Sequence, residues 1–143
     1  MHLDPDGDSK KLKSLIAKHE SLDVSNIIIG NGSNEVLELA ARAFLNKDTS
    51  ALMSKHAFAV YKIVTQSNGS KIIEVPTIDW RHALNEFSNY IEDSTRVCFV
   101  ANPNNPTGTY NSHDEFKFMM DSIPSSILVI LDLAYFEYVT EKD

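Results

Sequence analysis

The 143-residue chain carries 13 lysines and arginines against 20 aspartates and glutamates, a formal net charge of −7. Such an acidic balance repels phosphate backbones and anionic lipid headgroups, which argues against nucleic acid or a membrane surface as partner. With 43% hydrophobic and 23% charged residues the composition is that of an ordinary globular domain with its own core, so collagen-like, mucin-like and wholly disordered chains are excluded. One cysteine, Cys98, forms no internal bridge, and its neighbours Val97, Phe99 and Val100 place it in a buried strand rather than a reactive site. No run reaches the roughly 18 consecutive apolar residues of a membrane helix, and Met1 to Asp6 do not resemble a signal peptide, so the chain reads as soluble and cytoplasmic. No spacing of histidines, cysteines or acids suggests a metal site.

Short apolar runs alternate with amphipathic ones along the chain. Asp8 or Ser9 is positioned to cap a helix whose Leu12, Leu15, Ile16 and His19 share one face, and its Lys10, Lys11, Lys13 and Lys18 read as a solvated face. Ile27 to Ile29 reads as a short β-branched strand. After Gly30-Asn31-Gly32-Ser33 a second helix is expected, with Val36, Leu37, Leu39, Ala40, Ala43 and Phe44 inward. Ala51 to Met53 is a predicted strand, Ala57 to Gln66 a helix ended by Asn68-Gly69, and Lys71 to Val75 a further strand. Trp80 to Tyr90 reads as a helix burying Leu84 and Phe87, with Ile91 on the same face, and Arg96 to Val100 as a strand that runs into an asparagine- and proline-rich loop. Ser112 and Glu115 form a capping box for a helix carrying Phe116, Met119 and Met120, and Ile127 to Leu131 is a continuous apolar run expected of a strand covered on both faces. Strands alternating with helices through short links predict an α/β fold, a mostly parallel sheet flanked by helices. In such sheets ligands bind beyond the carboxyl ends of the strands, which directs attention to the residues just after each strand.

Three segments there are chemically unusual. Gly30-Asn31-Gly32-Ser33, ahead of a helix, can aim free amides and the positive end of the helix dipole at an anion such as phosphate; it equally suits a plain turn with Ser33 as N-cap. It is neither a Walker loop nor a dinucleotide fingerprint, for no Gly-Lys-Ser/Thr comes after it and Glu35 stands where a third glycine belongs. Asn102-Pro103-Asn104-Asn105-Pro106-Thr107-Gly108 presents amide side chains on a loop stiffened by two prolines, or is simply a rigid turn. Asp132 ends an apolar run with no lysine or arginine in the nine residues before it, so its partner is either a ligand or a local cap. Tyr135 lies three residues on. The histidines, His56 among them, read as solvated or capping residues.

Taken in order, Gly30 to Glu35, the aromatic Phe58, Asn105-Pro106-Thr107-Gly108 and Asp132-Leu133-Ala134-Tyr135 resemble the large domain of the fold type I, aspartate-aminotransferase-type pyridoxal-phosphate enzymes. Pro5-Asp6-Gly7, the first helix and Asn26 to Phe44 look most like the histidinol-phosphate aminotransferase subfamily, so the resemblance covers nearly the whole chain. It implies pyridoxal 5'-phosphate as cofactor, with Ser33, Asn34 and Glu35 at its phosphate and Phe58, or nearby Tyr61 or Val60, stacked on its ring. Asn105 and Tyr135 would then donate to its phenolic oxygen, and Asp132 would pair with its protonated pyridine nitrogen, supplying the cation that the sequence around Asp132 lacks.

The resemblance also implies a dimeric, cytoplasmic transferase moving an amino group between glutamate and imidazole acetol phosphate in histidine biosynthesis, with small amino and keto acids as substrates. Another aminotransferase or a phosphothreonine-type decarboxylase of the same fold are alternatives, as is a short non-catalytic protein that binds a phosphorylated ligand. Three departures stand out. Leu133 replaces a usual acid, Asp4 stands where relatives have a tyrosine, and Phe58 lacks a tyrosine's hydroxyl. None of the ten lysines matches the family's Schiff-base lysine, Lys142 being too close to Asp132. The expectation is therefore a part of the large, cofactor-binding domain spanning residues 1–143, without the N-terminal arm or the lysine-bearing C-terminal part, and inactive by itself.

Overall fold

The computed structural model describes residues 6–140, which fall into two units divided after Val36. Asp4, Pro5 and Lys142 lie outside the described residues. In the first unit α1 spans Lys10–Glu20. Ser9 stands at the cap position, as expected, but its side chain makes no capping bond; the Asp6 carboxylate accepts instead from the Asp8 amide at 3.2 Å and the Lys10 amide at 3.0 Å. The expected apolar face is largely uncovered, with Leu12 and Leu15 exposed and Ala17 the buried residue, the short turn Val24–Asn26 being what α1 packs on most within its unit. Ile27 to Ile29 do not form the expected strand. Ile27 closes that turn, whose Asp23 accepts from the Ser25 amide at 2.8 Å, and Ile28 is exposed; β-branched residues favour extended backbone, but only a neighbouring strand completes a ladder.

Helix α2, Gly32–Phe44, begins in the first unit and continues in the second. Its buried stripe is narrower than its apolar composition predicts. Leu37 and Ala41 face the core together with Leu45 beyond the helix, whereas Val36, Leu39, Ala43 and Phe44 are exposed. The second unit is built on a four-stranded parallel sheet in the order β2-β1-β5-β6, with β1 at Ser50–Ser54, β2 at Lys71–Val75, β5 at Thr95–Ala101 and β6 at Leu128–Asp132.

Side-chain alternation along the two central strands sorts the core into two layers. Ala51, Met53, Val97, Phe99 and Ala101 point to the face covered by α2 and by α3, Ala59–Ser67, where Tyr61 and Val64 meet them. Leu52, Cys98 and Val100 point to the other, covered by the 3-10 segment Leu84–Tyr90 and by α4, His113–Ser122, through Leu84, Phe87 and Met119. The Ser112–Glu115 capping box forms as the spacing predicts, although Met120 turns outward. Cys98 is fully buried, which pushes its thiol up to about 12 and removes it from nucleophilic chemistry.

One expectation fails here for a local reason. Trp80 does not start a helix. Thr77–Ile78 (β3) and Arg81–His82 (β4) form an antiparallel hairpin, and Asp79 and Trp80, at φ 48° and 66°, are its left-handed two-residue turn. Ile127 to Leu131 do meet the core on both faces, Ile130 packing on the first layer and Ile127, Val129 and Leu131 on the second, although β6 pairs only with β5 among the described residues and stays half-buried along its length. Phe99, fully buried and stacked flat on Tyr61 at 4.8 Å between ring centres, is the centre of the first core layer. Phe99→Ala should lower stability by about 3–5 kcal/mol in urea unfolding.

Candidate functional site

Parallel pairing puts Ala101 opposite Asp132, so β5 and β6 end side by side. The Asn102 amide continues the ladder by donating to the Asp132 carbonyl at 3.0 Å. At this rim the Asp132 carboxylate is held by two neutral donors, the Tyr61 hydroxyl on Oδ2 at 2.9 Å and the Ala134 amide on Oδ1 at 3.1 Å. Among the described residues no lysine or arginine forms a salt bridge with it. Burial first, and the adjacent negative charge of Asp132 second, push the Tyr61 phenol well above the usual tyrosine range, so it remains a donor. Phe58 is not on the helix face but is the residue that caps α3, half-buried and edge-on to Tyr61 at 5.7 Å.

Beyond Ala101 the chain forms a closed loop. Asn104 and Thr109 are bonded main chain to main chain at 2.8 Å, Gly108 returns its amide to the Asn104 carbonyl at 2.8 Å, and the Asn102–Pro103 and Asn105–Pro106 peptides are cis. Asn102 and Asn111 close the base, with Asn102 Nδ2 donating to the Asn111 carbonyl at 2.8 Å and the Asn111 amide to Asn102 Oδ1 at 2.9 Å. A cavity of about 390 Å³ lies against this loop, lined by Asn105, Tyr135, Asn104, Tyr138 and the flanking Pro103, Pro106 and Gly108. Neither the Asn105 amide nor the Tyr135 hydroxyl has a hydrogen-bond partner among the described residues, so both are open to a ligand. Asn104 is spent on structure: its Nδ2 donates to the His56 carbonyl and to Thr107 Oγ1, each at 2.8 Å, while its buried Oδ1 has no partner among the described residues.

The structure thus brings Asn105 and Tyr135 into one cavity, places Asp132 at the adjoining strand end, and links Phe58 to Asp132 through Tyr61. Sequence reasoning missed Tyr138 and Asn104 as cavity walls. Tyr138, three residues past Tyr135 in the turn Phe136–Tyr138, could have been found from that spacing; Asn104 gives no such signal beyond its place in the loop. It was also wrong about one histidine. His82 is neither solvated nor a cap but 3% exposed, bonded through Nδ1 to the Ser54 hydroxyl at 2.6 Å and through Nε2 to the Ala101 carbonyl at 2.9 Å. His56 is half-buried against Trp80 and bonded to Thr77 Oγ1 at 2.7 Å.

In the first unit, Ser33, Asn34 and Glu35 are exposed in the opening turn of α2, where amides lack intrahelical acceptors. Glu35 folds back so that its carboxylate accepts from the Asn31 amide at 2.5 Å. Gly32 has φ +76°, a conformation that side chains rarely adopt, and a Cβ on Gly30 would stand 2.9 Å from the Val36 side chain, which would have to shift.

Residues 2–143 match the family described as aminotransferase class I and II. The chain belongs to that family. Among its curated relatives, histidinol-phosphate aminotransferase 2 of Pseudomonas fluorescens is 46% identical over 139 residues, covering 97% of this chain and 38% of the relative. The histidinol-phosphate aminotransferase of Maricaulis maris is 41% identical over 143 residues, all of this chain and 40% of the relative. This family member therefore spans well under half the length of the curated relatives it matches. The solved structure of histidinol-phosphate aminotransferase from Sinorhizobium meliloti in complex with pyridoxal-5'-phosphate superposes with a TM-score of 0.87 at 24% identity, over 93% of this chain and 36% of that one. L-threonine-O-3-phosphate decarboxylase from Porphyromonas gingivalis gives 0.79 at 24% identity, over 96% of this chain and 40% of that one. The α/β fold, a parallel sheet flanked by helices, is accordingly the fold type I fold that the motif order implies.

Two measurements test this geometry. Tyr61→Phe removes one of the two donors on Asp132 and should cost about 1 kcal/mol in urea unfolding. Burial holds the His82 imidazole below the usual histidine range, against a smaller opposing pull from the Ala101 carbonyl. The unfolded chain takes up that proton near pH ~6.5, so the stability gained by keeping His82 neutral is fully present above this value and is lost as pH falls towards the lower folded pKa. The urea midpoint should therefore drop between about pH 7 and about pH 5 by more in the unaltered protein than in His82→Gln, which cannot take up the proton.

Proposed function

We propose that this chain is part of the large, cofactor-binding domain of a pyridoxal-phosphate-dependent histidinol-phosphate aminotransferase. In the whole protein, a cytoplasmic homodimer, an amino group would pass between glutamate and imidazole acetol phosphate. The observation that carries the reading is the similarity to histidinol-phosphate aminotransferases over nearly the whole chain, reaching 46% identity. Among the described residues no helix is long and apolar enough to cross a membrane.

The residues present fit pyridoxal phosphate. Such a ligand needs hydrogen-bond donors for a phenolic oxygen, an anion for a protonated ring nitrogen and a cradle for a phosphate. Asn105 and Tyr135 offer two unengaged donor groups on one cavity, and Asp132 offers a carboxylate whose only close partners among the described residues are neutral. When bound, pyridoxal phosphate supplies an electron sink for the charge left as a substrate carbon loses its proton.

Each residue then has a distinct task. Asp132 would hold a proton at the pyridine nitrogen, and the Tyr61 hydroxyl fixes Oδ2 so that the carboxylate keeps its direction. Asn105 and Tyr135 would orient the ring by donating to its phenolic oxygen, and Phe58 would serve its face. Ser33 and Asn34 would bind phosphate with the amides of the α2 start, whose dipole favours a negative group, and Glu35 would contribute by holding the Asn31 amide and so the shape of the turn. None of the chain's ten lysines is assigned the role of taking the substrate proton.

The full-length protein, supplied with histidinol phosphate and 2-oxoglutarate, should form glutamate; no glutamate under conditions where pyridoxal phosphate is bound would sink the substrate assignment. Asp132→Asn should lower kcat/KM by on the order of a hundredfold or more, since a neutral amide cannot stabilise a pyridinium charge, whereas Tyr135→Phe should cost about tenfold.

A further inference from the structure

One buried residue grips the Asn102–Asn111 loop at both ends. His82 Nε2 faces the Ala101 carbonyl at 2.9 Å, and a carbonyl oxygen can only accept, so Nε2 carries the proton. That leaves Nδ1 as acceptor for the Ser54 hydroxyl at 2.6 Å. Ser54 and Ala101 are the last residues of β1 and β5, so the imidazole ties two strand ends together immediately before the loop begins. The main-chain carbonyl of His82 accepts from Asn111 Nδ2 at 3.0 Å, which holds the loop where it finishes. Asn111 in turn is bonded twice to Asn102, closing the base. His82 itself does not line the cavity.

We propose that His82 is a positioning residue for Asn105: its side chain fixes the start of the loop and its main chain fixes the end, and together they set where the Asn105 amide stands in the cavity. For its functional consequence the proposal rests on the cofactor reading above. A histidine that merely filled core volume would be replaceable by any side chain of similar size. A positioning histidine is replaceable only by one that keeps a donor at the place of Nε2.

The test compares His82→Phe and His82→Gln in the full-length protein, with two readouts. One is amide hydrogen exchange at Asn104 and Gly108, whose bonds to Thr109 and Asn104 define the loop. The other is the dissociation constant of pyridoxal phosphate together with its bound absorption spectrum. His82→Phe should speed exchange at Asn104 and Gly108 by about tenfold while Val97 to Val100 keep their protection, and should weaken cofactor binding by about tenfold, as expected for one or two lost hydrogen bonds. His82→Gln should return both to within about threefold of the unaltered protein.

Unchanged loop exchange in folded His82→Phe overturns the proposal. Exchange that rises equally through the sheet, or a glutamine that recovers nothing, overturns it too, because the role would then be general stability. Should His82→Phe not fold, Ser54→Ala takes its place, removing only the donor to Nδ1. Faster exchange at Asn104 and Gly108 in that variant supports the proposal, and unchanged exchange overturns it. If the unaltered protein fails to bind pyridoxal phosphate, it is the cofactor reading that falls, and the exchange comparison still decides what His82 does.

Discussion

The parallel ladder between β5 and β6 is the constraint on which the site depends. It sets Ala101 beside Asp132, and with no bulge in that register the Asn102 amide can go on to bond the Asp132 carbonyl. Shift the register by one residue and side chains exchange faces, so the Asp132 carboxylate would leave the side on which Tyr61 waits. The Tyr61 ring is held by stacking on Phe99 of β5. The same strand thus aligns Asp132 through its backbone and the group that holds Asp132 through its side chain.

Charge at this rim is arranged by omission. Asp132 takes its hydrogen bonds from a phenol and an amide, both neutral, which orient a carboxylate without cancelling its charge. A lysine or arginine in the same place would satisfy it and close it to any other cation. Neutrality is also the rule at His82, where burial outweighs the pull of the Ala101 carbonyl toward a charged ring. The surrounding polar network gains rigidity from being nearly fully satisfied, its buried exceptions among the described residues being the Oδ1 atoms of Asn104 and Asn111.

The start of α2 obeys the opposite electrostatics. Gly32, at φ +76°, lets the backbone turn sharply and present amides at the positive end of a helix dipole, where anions are favoured. Glu35 answers part of that potential from within, and it does so on the Asn31 amide just ahead of the helix rather than on Ser33 or Asn34.

Much of this could be read from the residues alone. The strands at 51–53, 71–75 and 96–100 are short apolar runs bounded by polar residues, the last two carrying β-branched residues that favour extended backbone, and Ser112 with Glu115 is a cap whose chemistry is complete within four positions. The motif order pointed to the family because each motif is a short stretch with its own chemistry. What sequence could not supply were partners. Ile27 to Ile29 have the composition of a strand but no strand to pair with among the described residues, the apolar face of α1 is left largely exposed, and Trp80 sits in a left-handed turn because the hairpin around it demands one. Nor could local pattern say that Tyr61 reaches Asp132 across 71 positions, or that His82 is buried between Ser54 and Ala101. Backbone preference and capping act over a few residues and are written in the chain; burial, charge pairing and the geometry of a cavity are properties of residues far apart, and only the tertiary structure decides them.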